Sequence, residues 1–288
     1  MIDLWFVQTA AQQLAQLREG LDTPFLARLM GVVGMAAMIG IAWAISYHRR
    51  AVRWNLVGYG VLLQVVLGII VLKTPLGRGL FSAANVVVQK LLAFQEAGAR
   101  FVFGNLVQNE IQLSGGVEGA VRTGAAFAFN VLPTIIFFSA LMSVLYYLGV
   151  MQWIVKGIAW VMQKSLRTSG AETLSAAGNI FLGQTEAPLM VRPFVSRATE
   201  SELLTIMVGG FATVAGGVMA AYVAMLSGYF PDIAGHLLTA SVMNAPAGLL
   251  LSKIILPELG EPVTRGPLRI ESAKTEANVI EAAAGGAG

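Results

Sequence analysis

The chain has 288 residues, of which 56% are hydrophobic and only 12% are charged, with a formal net charge of +3. A soluble domain carries about 25% charged residues and cannot bury so much apolar surface, so the composition excludes a soluble fold and predicts a membrane protein. The small positive charge does not indicate nucleic-acid binding, because the basic residues lie between apolar runs, where they orient membrane helices.

Cysteine and histidine content limits the kinds of site that the chain can hold. No cysteine is present, which excludes disulfides and thiolate metal sites. The two histidines, His48 and His236, lie at the ends of apolar runs rather than inside them. We therefore expect neither a metal site nor a proton relay at these positions.

The N-terminal third predicts an interfacial segment followed by two membrane spans. Residues 1–24 mix apolar residues with Gln and Arg and lack the basic start of a signal peptide, so we predict a short helix on the bilayer surface. A crossing needs about 20 apolar residues. Two such runs follow, about 25–47 and 56–72, and the arginines between them place their connection in the cytoplasm.

The middle of the chain changes character twice. Between residues 77 and 121 charges recur every few residues, and we predict interfacial helices over about 79–112, one near 79–95 and one near 98–112. Residues 123–155 form a charge-free run that is longer than one span needs. We predict a single tilted helix that is kinked near Pro133.

A polar interruption divides the apolar segment at about 171–197. Basic residues flank this segment on both sides, so both ends are predicted in the cytoplasm and the segment becomes a re-entrant hairpin. Each arm has about ten residues, or roughly 15 Å of helix, which is half the hydrocarbon thickness. Spans at about 203–229 and 233–252 follow, and a polar segment over 257–288 is predicted as a cytoplasmic linker.

Polar residues at the tip of this hairpin are the candidates for ligand binding. Glu186 is the only carboxylate predicted in the core of the hairpin, and an ionisable group at such depth is a functional candidate. The alternative is a structural ion pair with Arg192 or Arg197 on the same arm. Gln184 and Thr185 offer donors and acceptors without acid–base chemistry, which suits a neutral polar ligand.

Two further residues are candidates for a cation site. Asn179 can offer its side-chain oxygen to a cation or cap the end of the first arm, and the two roles are compatible. Thr213 lies between two glycine pairs, and a lone threonine in a membrane helix usually bonds its own i−4 carbonyl. The glycines either unwind that helix and free carbonyls for an ion or allow close helix packing, and the pattern favours packing.

Several segments, in order, resemble the concentrative nucleoside transporter family. The most specific is the hairpin itself, GNIFLGQTEAPLMVRPF (178–194), and the resemblance extends from about residue 25 to the end. The other segments are GARFVFGNL (98–106), FAFNVLPTIIFFSALMSVLYYLGVMQWIV (127–155), GGFATVAGGVMAAY (209–222) and ASVMNAPAGLLLSKIILPE (240–258), together with Trp54-Asn55, Leu63-Gln64 and Leu72-Lys73.

The resemblance implies an all-α polytopic fold in which outer scaffold helices carry a mobile transport domain that moves like an elevator. The scaffold would comprise residues 25–155, and the first half of the transport domain would comprise 156–256. It implies homotrimers in a lipid bilayer. It also implies nucleobase contacts from the hairpin and an apolar contact from the next helix (Gln184, Thr185, Glu186 and Val218). The sodium site would comprise Asn179, the carbonyl of Leu182, Thr213 and the carbonyl of Val214.

Family members continue beyond a segment like 257–288 into a second hairpin that completes the ribose site, so we expect this chain to be a fragment. The predicted function is symport of nucleosides across the inner membrane, coupled to sodium in preference to protons and without a cofactor. The alternative is a truncated scaffold that only oligomerises. An intramembrane enzyme is excluded because the sequence predicts one buried acid, no cysteine and no buried histidine.

Overall fold

The computed structural model describes residues 25–107, 110–112, 120–122, 127–227, 229–264 and 277–288. The chain forms two compact units, Met1–Ser46 and Tyr47–Gly288. In the first unit, helix α1 (Phe25–Ala44) is apolar apart from Arg28, and large side chains such as Val33, Met38 and Ile41 are exposed. Such a surface suits a lipid environment. The predicted interfacial segment 1–24 lies outside the described residues.

The second unit is helical apart from one short ladder. Its helices are α2 (Trp54–Lys73), α3 (Pro75–Phe103), α4 (Leu132–Tyr147), α5 (Val150–Leu166), α6 (Gly170–Gly178), α7 (Arg192–Val195), α8 (Glu200–Ala212), α9 (Gly216–Leu226), α10 (Ile233–Ile255) and α11 (Val279–Ala287). Short 3₁₀ turns occur at Arg49–Ala51, Gly104–Val107 and Ala187–Val191, and a π-helical turn occurs at Phe127–Val131. Strands β1 (Glu110–Gln112) and β2 (Ala120–Arg122) pair antiparallel, with Ile111 opposite Val121.

Three segments within the described residues are long and apolar enough to cross a bilayer, namely Trp54–Val71, Glu200–Leu226 and Ile233–Ile255. They lie where spans at about 56–72, 203–229 and 233–252 are predicted. The pair α4 and α5, bent by 80°, counts as a fourth if it is one crossing. The protein is therefore an all-α, multi-pass membrane protein.

Helix α3 corrects the prediction of separate interfacial helices over 79–112. One continuous helix of 29 residues begins after Thr74, whose hydroxyl accepts a hydrogen bond from the Gly77 amide at 3.0 Å, and ends at Phe103. Among the charged residues of α3, Lys90 and Arg100 are exposed and Glu96 is half-buried. Glu96 and Arg100, for example, form an i,i+4 ion pair of 2.7 Å. Charged side chains within one continuous helix were therefore mistaken for a series of breaks.

The long run at 123–155 is also corrected, because the bend lies at Gly149 and not at Pro133. Pro133 occupies the first turn of α4, where the missing N–H costs nothing. Gly149 has φ +83°, a left-handed conformation that favours glycine, and it starts α5 in a new direction. The predicted domain boundary at 155/156 falls inside α5, so that boundary does not coincide with a break in the chain.

The first arm of the hairpin, helix α6, is buried along its whole length, whereas the second arm is only partly buried. Helix α6 leads to a turn over residues 179–186, and the 3₁₀ turn Ala187–Val191 with α7 returns beside it. Its buried side chains pack against those of three neighbouring helices, and the cluster includes Leu174, Ile180 and Val191 from the hairpin with Val155, Ile206 and Leu249 around them. Non-helical backbone at membrane depth requires such a protein cover.

The sidedness of the hairpin is a prediction that labelling can test. Arg167 and Ser196 are exposed at its two ends, whereas Tyr229 is exposed between α9 and α10. Because the chain has no cysteine, single cysteines at these positions would be the only reactive thiols. We expect a membrane-impermeant maleimide to reach positions 167 and 196 from one side and position 229 from the other. Labelling of 167 and 196 from opposite sides would make the segment an ordinary crossing.

Candidate binding cleft

A cleft of about 930 Å³ opens between the hairpin and three neighbouring elements. We call it the candidate cleft. Its walls are the hairpin tip (residues 179–186), the non-helical break between α8 and α9 (residues 213–215) with the start of α9, one face of α4, and the end of α11. The predicted site residues thus come from two segments of the chain that the fold places against each other.

The hairpin tip presents its polar side chains to this cleft. Gln184, Thr185 and Glu186 are all exposed and line it. The Glu186 carboxylate accepts a hydrogen bond from the Gly183 amide at 3.3 Å, which orients it across the tip. Among the described residues Glu186 has no ion-pair partner, so the alternative of a salt bridge with Arg192 or Arg197 is not what the structure contains.

The span predicted at 203–229 is interrupted at the level of the hairpin tip. Residues 213–215 leave the helical conformation, with Thr213 extended at φ −117° and ψ 164°. The Gly216 amide donates a hydrogen bond to the carbonyl of Phe181 at 2.8 Å, which joins the break to the tip. The preference for packing over unwinding is therefore wrong at 213–215, although Gly210 also allows close approach to Gln184.

Asn179 lies behind the wall of the cleft and is completely buried. It ends α6, and its Nδ2 donates to the carbonyl of Ser175 at 3.1 Å, so the capping role is present. No described residue donates a hydrogen bond to Asn179 Oδ1. A buried acceptor without a partner costs about 1–3 kcal/mol, so this oxygen, beside Gly209 and Gly210, has the properties of a cation ligand.

The other predicted cation donors lie in the cleft itself. Leu182 and Val214 are in non-helical backbone, so their carbonyls do not belong to a regular helix ladder. Thr213 Oγ1 donates to the Gly209 carbonyl at 3.0 Å, the expected i−4 bond, and its lone pairs can still accept. Val218, predicted as the apolar contact, is 40% exposed and lines the cleft from α9.

Several lining residues were not predicted from the sequence. Helix α4 contributes Ser143 and Tyr146, and the Tyr146 hydroxyl lies 3.7 Å from the sulfur of Met190 on the hairpin. Helix α11 contributes Gly285 and Gly286. Apolar periodicity gave no indication of these residues. The face of α4 that contacts the hairpin is determined by the tertiary packing.

A second group of buried charges lies at the other end of the hairpin. Glu172 and Glu202 are each 1% exposed, and Lys253 is also buried. The count of one buried acid is therefore wrong, because Glu172 is buried in the first turn of α6 and Glu202 in the first turn of α8. The missed signal was the spacing S-x-x-E at 169–172 and T-x-x-E at 199–202, which is typical of capping boxes at helix starts.

Two family models match the chain. One, described as the N-terminus of Na⁺-dependent nucleoside transporters, matches residues 33–106, and the other, described as nucleoside recognition, matches residues 128–229. The sodium/nucleoside cotransporter 1 of Rattus norvegicus is 42% identical over 261 residues, which are 90% of this chain and 37% of that protein. Solute carrier family 28 member 3 of Eptatretus stoutii is 40% identical over 287 residues, 98% of this chain and 39% of that protein. The chain therefore spans less than two-fifths of the length of these relatives.

Solved structures of one transporter resemble the fold of this chain. CNTnw in an inward-facing substrate-bound state is 44% identical, with a TM-score of 0.78 over 90% of this chain and 58% of that one. A CNTnw variant in an outward-facing state is 43% identical, with a TM-score of 0.79 over 92% of this chain and 61% of that one. The relatives are cotransporters and not enzymes, in agreement with the sequence prediction. Because sequence and fold match together across most of its length, the chain belongs to the concentrative nucleoside transporter family.

Proposed function

We propose that this chain binds a nucleoside and a sodium ion at the candidate cleft and serves sodium-coupled uptake of nucleosides across the inner membrane. The relatives named above are sodium/nucleoside cotransporters, and the nucleoside recognition model covers the hairpin, the break and α9. The two segments that would hold the ligands, 179–186 and 213–218, both lie within the described residues.

The observation that carries this proposal is the buried, unpartnered Oδ1 of Asn179. In the proposal, sodium is held by this oxygen, the hydroxyl of Thr213 and the carbonyls of Leu182 and Val214. All four donors are neutral oxygens, which suit a hard monovalent cation, and the protein needs no additional carboxylate to hold it. A proton binds to a single titratable group and does not require coordination by four oxygens, so sodium is the preferred coupling ion.

The nucleoside is proposed to lie in the cleft beside the ion. Gln184, Thr185 and Glu186 supply hydrogen-bond donors and acceptors for the edge of a base, and Val218 supplies an apolar surface for its face. This combination of a few polar groups with apolar walls is typical of small-molecule sites. Glu186 is the group whose charge strengthens a hydrogen bond to the base.

Coupling follows from the position of the ion between the tip and the break. The tip and the break share the hydrogen bond from Gly216 to Phe181, so an ion that orders one orders the other. A nucleoside that contacts the ordered tip then binds with less loss of conformational freedom, and the two ligands bind cooperatively. Entry of one charge through 100 mV supplies about 2.3 kcal/mol, enough for more than tenfold accumulation of substrate.

Three finer points belong to the same proposal. The chain is proposed to act as part of a homotrimer in which residues 25–155 form scaffold and 156–256 move as half of the transport domain. Proton coupling through Glu186 is the alternative to sodium, and uptake driven by an inward proton gradient in sodium-free buffer would support it. A scaffold that only oligomerises would form trimers yet bind neither sodium nor nucleoside.

Replacement of Asn179 tests the sodium site. In Asn179→Ala, the half-saturating sodium concentration for thermal stabilisation of the purified chain is expected to rise by more than about tenfold, because a bond to a charged partner contributes about 1.5–3 kcal/mol. Asn244→Ala is the matched control, since Asn244 is exposed on α10 and does not line the cleft. Equal sodium responses in the two variants would remove Asn179 from the site.

A further inference from the structure

Two helices of the second unit begin side by side, and at each start a glutamate accepts a hydrogen bond from the amide of the N-cap residue. At the start of α6, the Ser169 amide donates to Glu172 Oε1 at 2.7 Å. At the start of α8, the Thr199 amide donates to Glu202 Oε2 at 2.9 Å, and the Glu202 amide donates back to Thr199 Oγ1 at 3.1 Å. Both glutamates occupy the third helical position, where a negative charge also stabilises the helix dipole.

Lys253, near the end of α10, joins the first turns of these two helices. Its Nζ lies 2.6 Å from Glu172 Oε2 on α6 and 2.9 Å from Ser201 Oγ on α8. A third bond of 3.1 Å reaches Glu258, which in turn accepts from the Thr199 hydroxyl at 2.9 Å. The ammonium group therefore forms an ion pair with the first turn of α6 and a hydrogen bond with the first turn of α8.

Thr264 makes a second bridge between the same two helix starts. Its carbonyl accepts from the Gly170 amide at 2.8 Å, and its hydroxyl accepts from the Ala171 amide at 3.2 Å. The same hydroxyl donates to Glu202 Oε1 at 3.3 Å. One residue thus satisfies two otherwise unpaired amides of α6 and one carboxylate oxygen of α8. We call Lys253 and Thr264 the clasp.

The opposite ends of the two helices carry the proposed sodium donors. Asn179 follows directly after α6, and Thr213 follows directly after α8. With a rise of 1.5 Å per residue, the nine residues of α6 span about 13 Å and the thirteen of α8 about 20 Å. A helix does not stretch, so an axial shift at its start is transmitted to its end. From these contacts we infer that the clasp sets the axial position of α6 relative to α8. It thereby sets the distance between Asn179 and Thr213 at the opposite ends of these helices. Lys253 and Thr264 are therefore positioning residues for the sodium site.

The charges in the clasp region fit a role in register better than a role in stability. Glu172, Glu202 and Lys253 are all buried, and Lys253 lies 2.6 Å from Glu172. Buried ion pairs contribute little net stability because desolvation offsets their attraction, and their best-attested use is to select one register among several. Each glutamate also accepts a hydrogen bond from the N-cap amide of its own helix. Its carboxylate is therefore fixed relative to that helix, which leaves one relative position of α6 and α8 that satisfies all the contacts.

The test rests on the proposed function and measures sodium binding and helix register separately. Thr264→Val keeps the volume and removes the hydroxyl, whereas Lys253→Met with Glu172→Gln removes the ion pair to Glu172 and leaves Glu258 without its cation. Thr239→Val, at a half-buried position of α10 outside the clasp, is the matched control. Each purified full chain in lipid nanodiscs is titrated with sodium chloride against choline chloride, and its melting temperature is recorded. Hydrogen–deuterium exchange of residues 209–218 is measured without sodium.

We expect Thr264→Val and the double variant to raise the half-saturating sodium concentration by about tenfold or more, the lower end of what loss of a supporting residue costs a metal site. The Gly216 amide, which bonds to Phe181, should exchange faster in both variants and at the wild-type rate in Thr239→Val. Variants that melt earlier in choline yet keep the wild-type sodium midpoint and exchange rate would overturn the inference, because the clasp would then be structural only. A wild-type chain without sodium stabilisation, with faster exchange at Gly216 in the clasp variants, would overturn the sodium site while leaving the register intact.

Discussion

A Gly216→Ala variant is expected to lose both stability and sodium response, because the added methyl group has no room. A Cβ at this position would lie 2.7 Å from the carbonyl oxygen of Phe181 and 3.1 Å from Met142 Cε. The Phe181 carbonyl oxygen is a backbone atom and accepts the hydrogen bond from the Gly216 amide. Relief of the clash therefore has to move the hairpin tip away from the break. Overpacking of this kind costs about 1–3 kcal/mol, which lowers the melting temperature by about 2–4 °C for each kcal/mol.

The sodium midpoint of the same variant should rise by about tenfold or more, since the tip and the break would no longer meet at the distance that the site needs. Gly157→Ala is the matched control. Gly157 lies within α5 with no atom within 4 Å of the added methyl group, and alanine is the better helix former by about 1 kcal/mol. The control should therefore melt at the wild-type temperature or above it. Equal melting temperatures and sodium midpoints for the two variants would contradict the proposed junction.

A Glu186→Gln variant is expected to bind uridine about twofold to thirtyfold more weakly. The substitution keeps the shape of the side chain and its acceptor oxygen but removes the charge, and bonds to charged groups contribute about 1.5–3 kcal/mol against about 1 kcal/mol for neutral ones. Glu186 makes no ion pair among the described residues, so its loss leaves no unpaired cation behind. The melting temperature in sodium without nucleoside should therefore stay close to that of the wild type.

Equilibrium binding of radiolabelled uridine to the chain in nanodiscs, at saturating sodium, measures this effect. Glu200→Gln is the control, because Glu200 is exposed in the first turn of α8 and takes no part in the cleft or the clasp. A dissociation constant for Glu186→Gln equal to that of the control would exclude Glu186 from the nucleoside site. Unchanged binding together with loss of proton-driven uptake would instead assign the residue to proton coupling.

Much of the architecture could be predicted from the residues alone. The hydrocarbon core demands long apolar segments, so composition and run length were sufficient for the spans near 56–72, 203–229 and 233–252. The hairpin was predictable for a different reason. Bases on both flanks, two arms of half the needed length and a polar tip leave few alternatives, and the structure has the two arms side by side with Gln184, Thr185 and Glu186 exposed at the tip.

The wrong predictions have a common cause. A local pattern of residues does not indicate which distant segment packs against it. Charges on α3 were taken as interruptions because the sequence does not state which helix face meets solvent. The glycines around Thr213 are compatible with either close helix packing or a break in the helix. The break is stabilised by the hydrogen bond from the Gly216 amide to the carbonyl of Phe181, which lies 35 positions earlier in the chain.

The sequence by itself determined the solvent of this protein, its helical class and the two arms of the hairpin, because a bilayer penalises every unsatisfied polar group and so leaves strong local signals. The tertiary structure alone decided where Asn179 Oδ1 is left without a donor, which face of α4 closes the cleft, and how Lys253 and Thr264 meet the starts of α6 and α8. These are contacts between residues that are distant in the chain, and their distances depend on the packing of whole helices, which no local pattern of residues encodes.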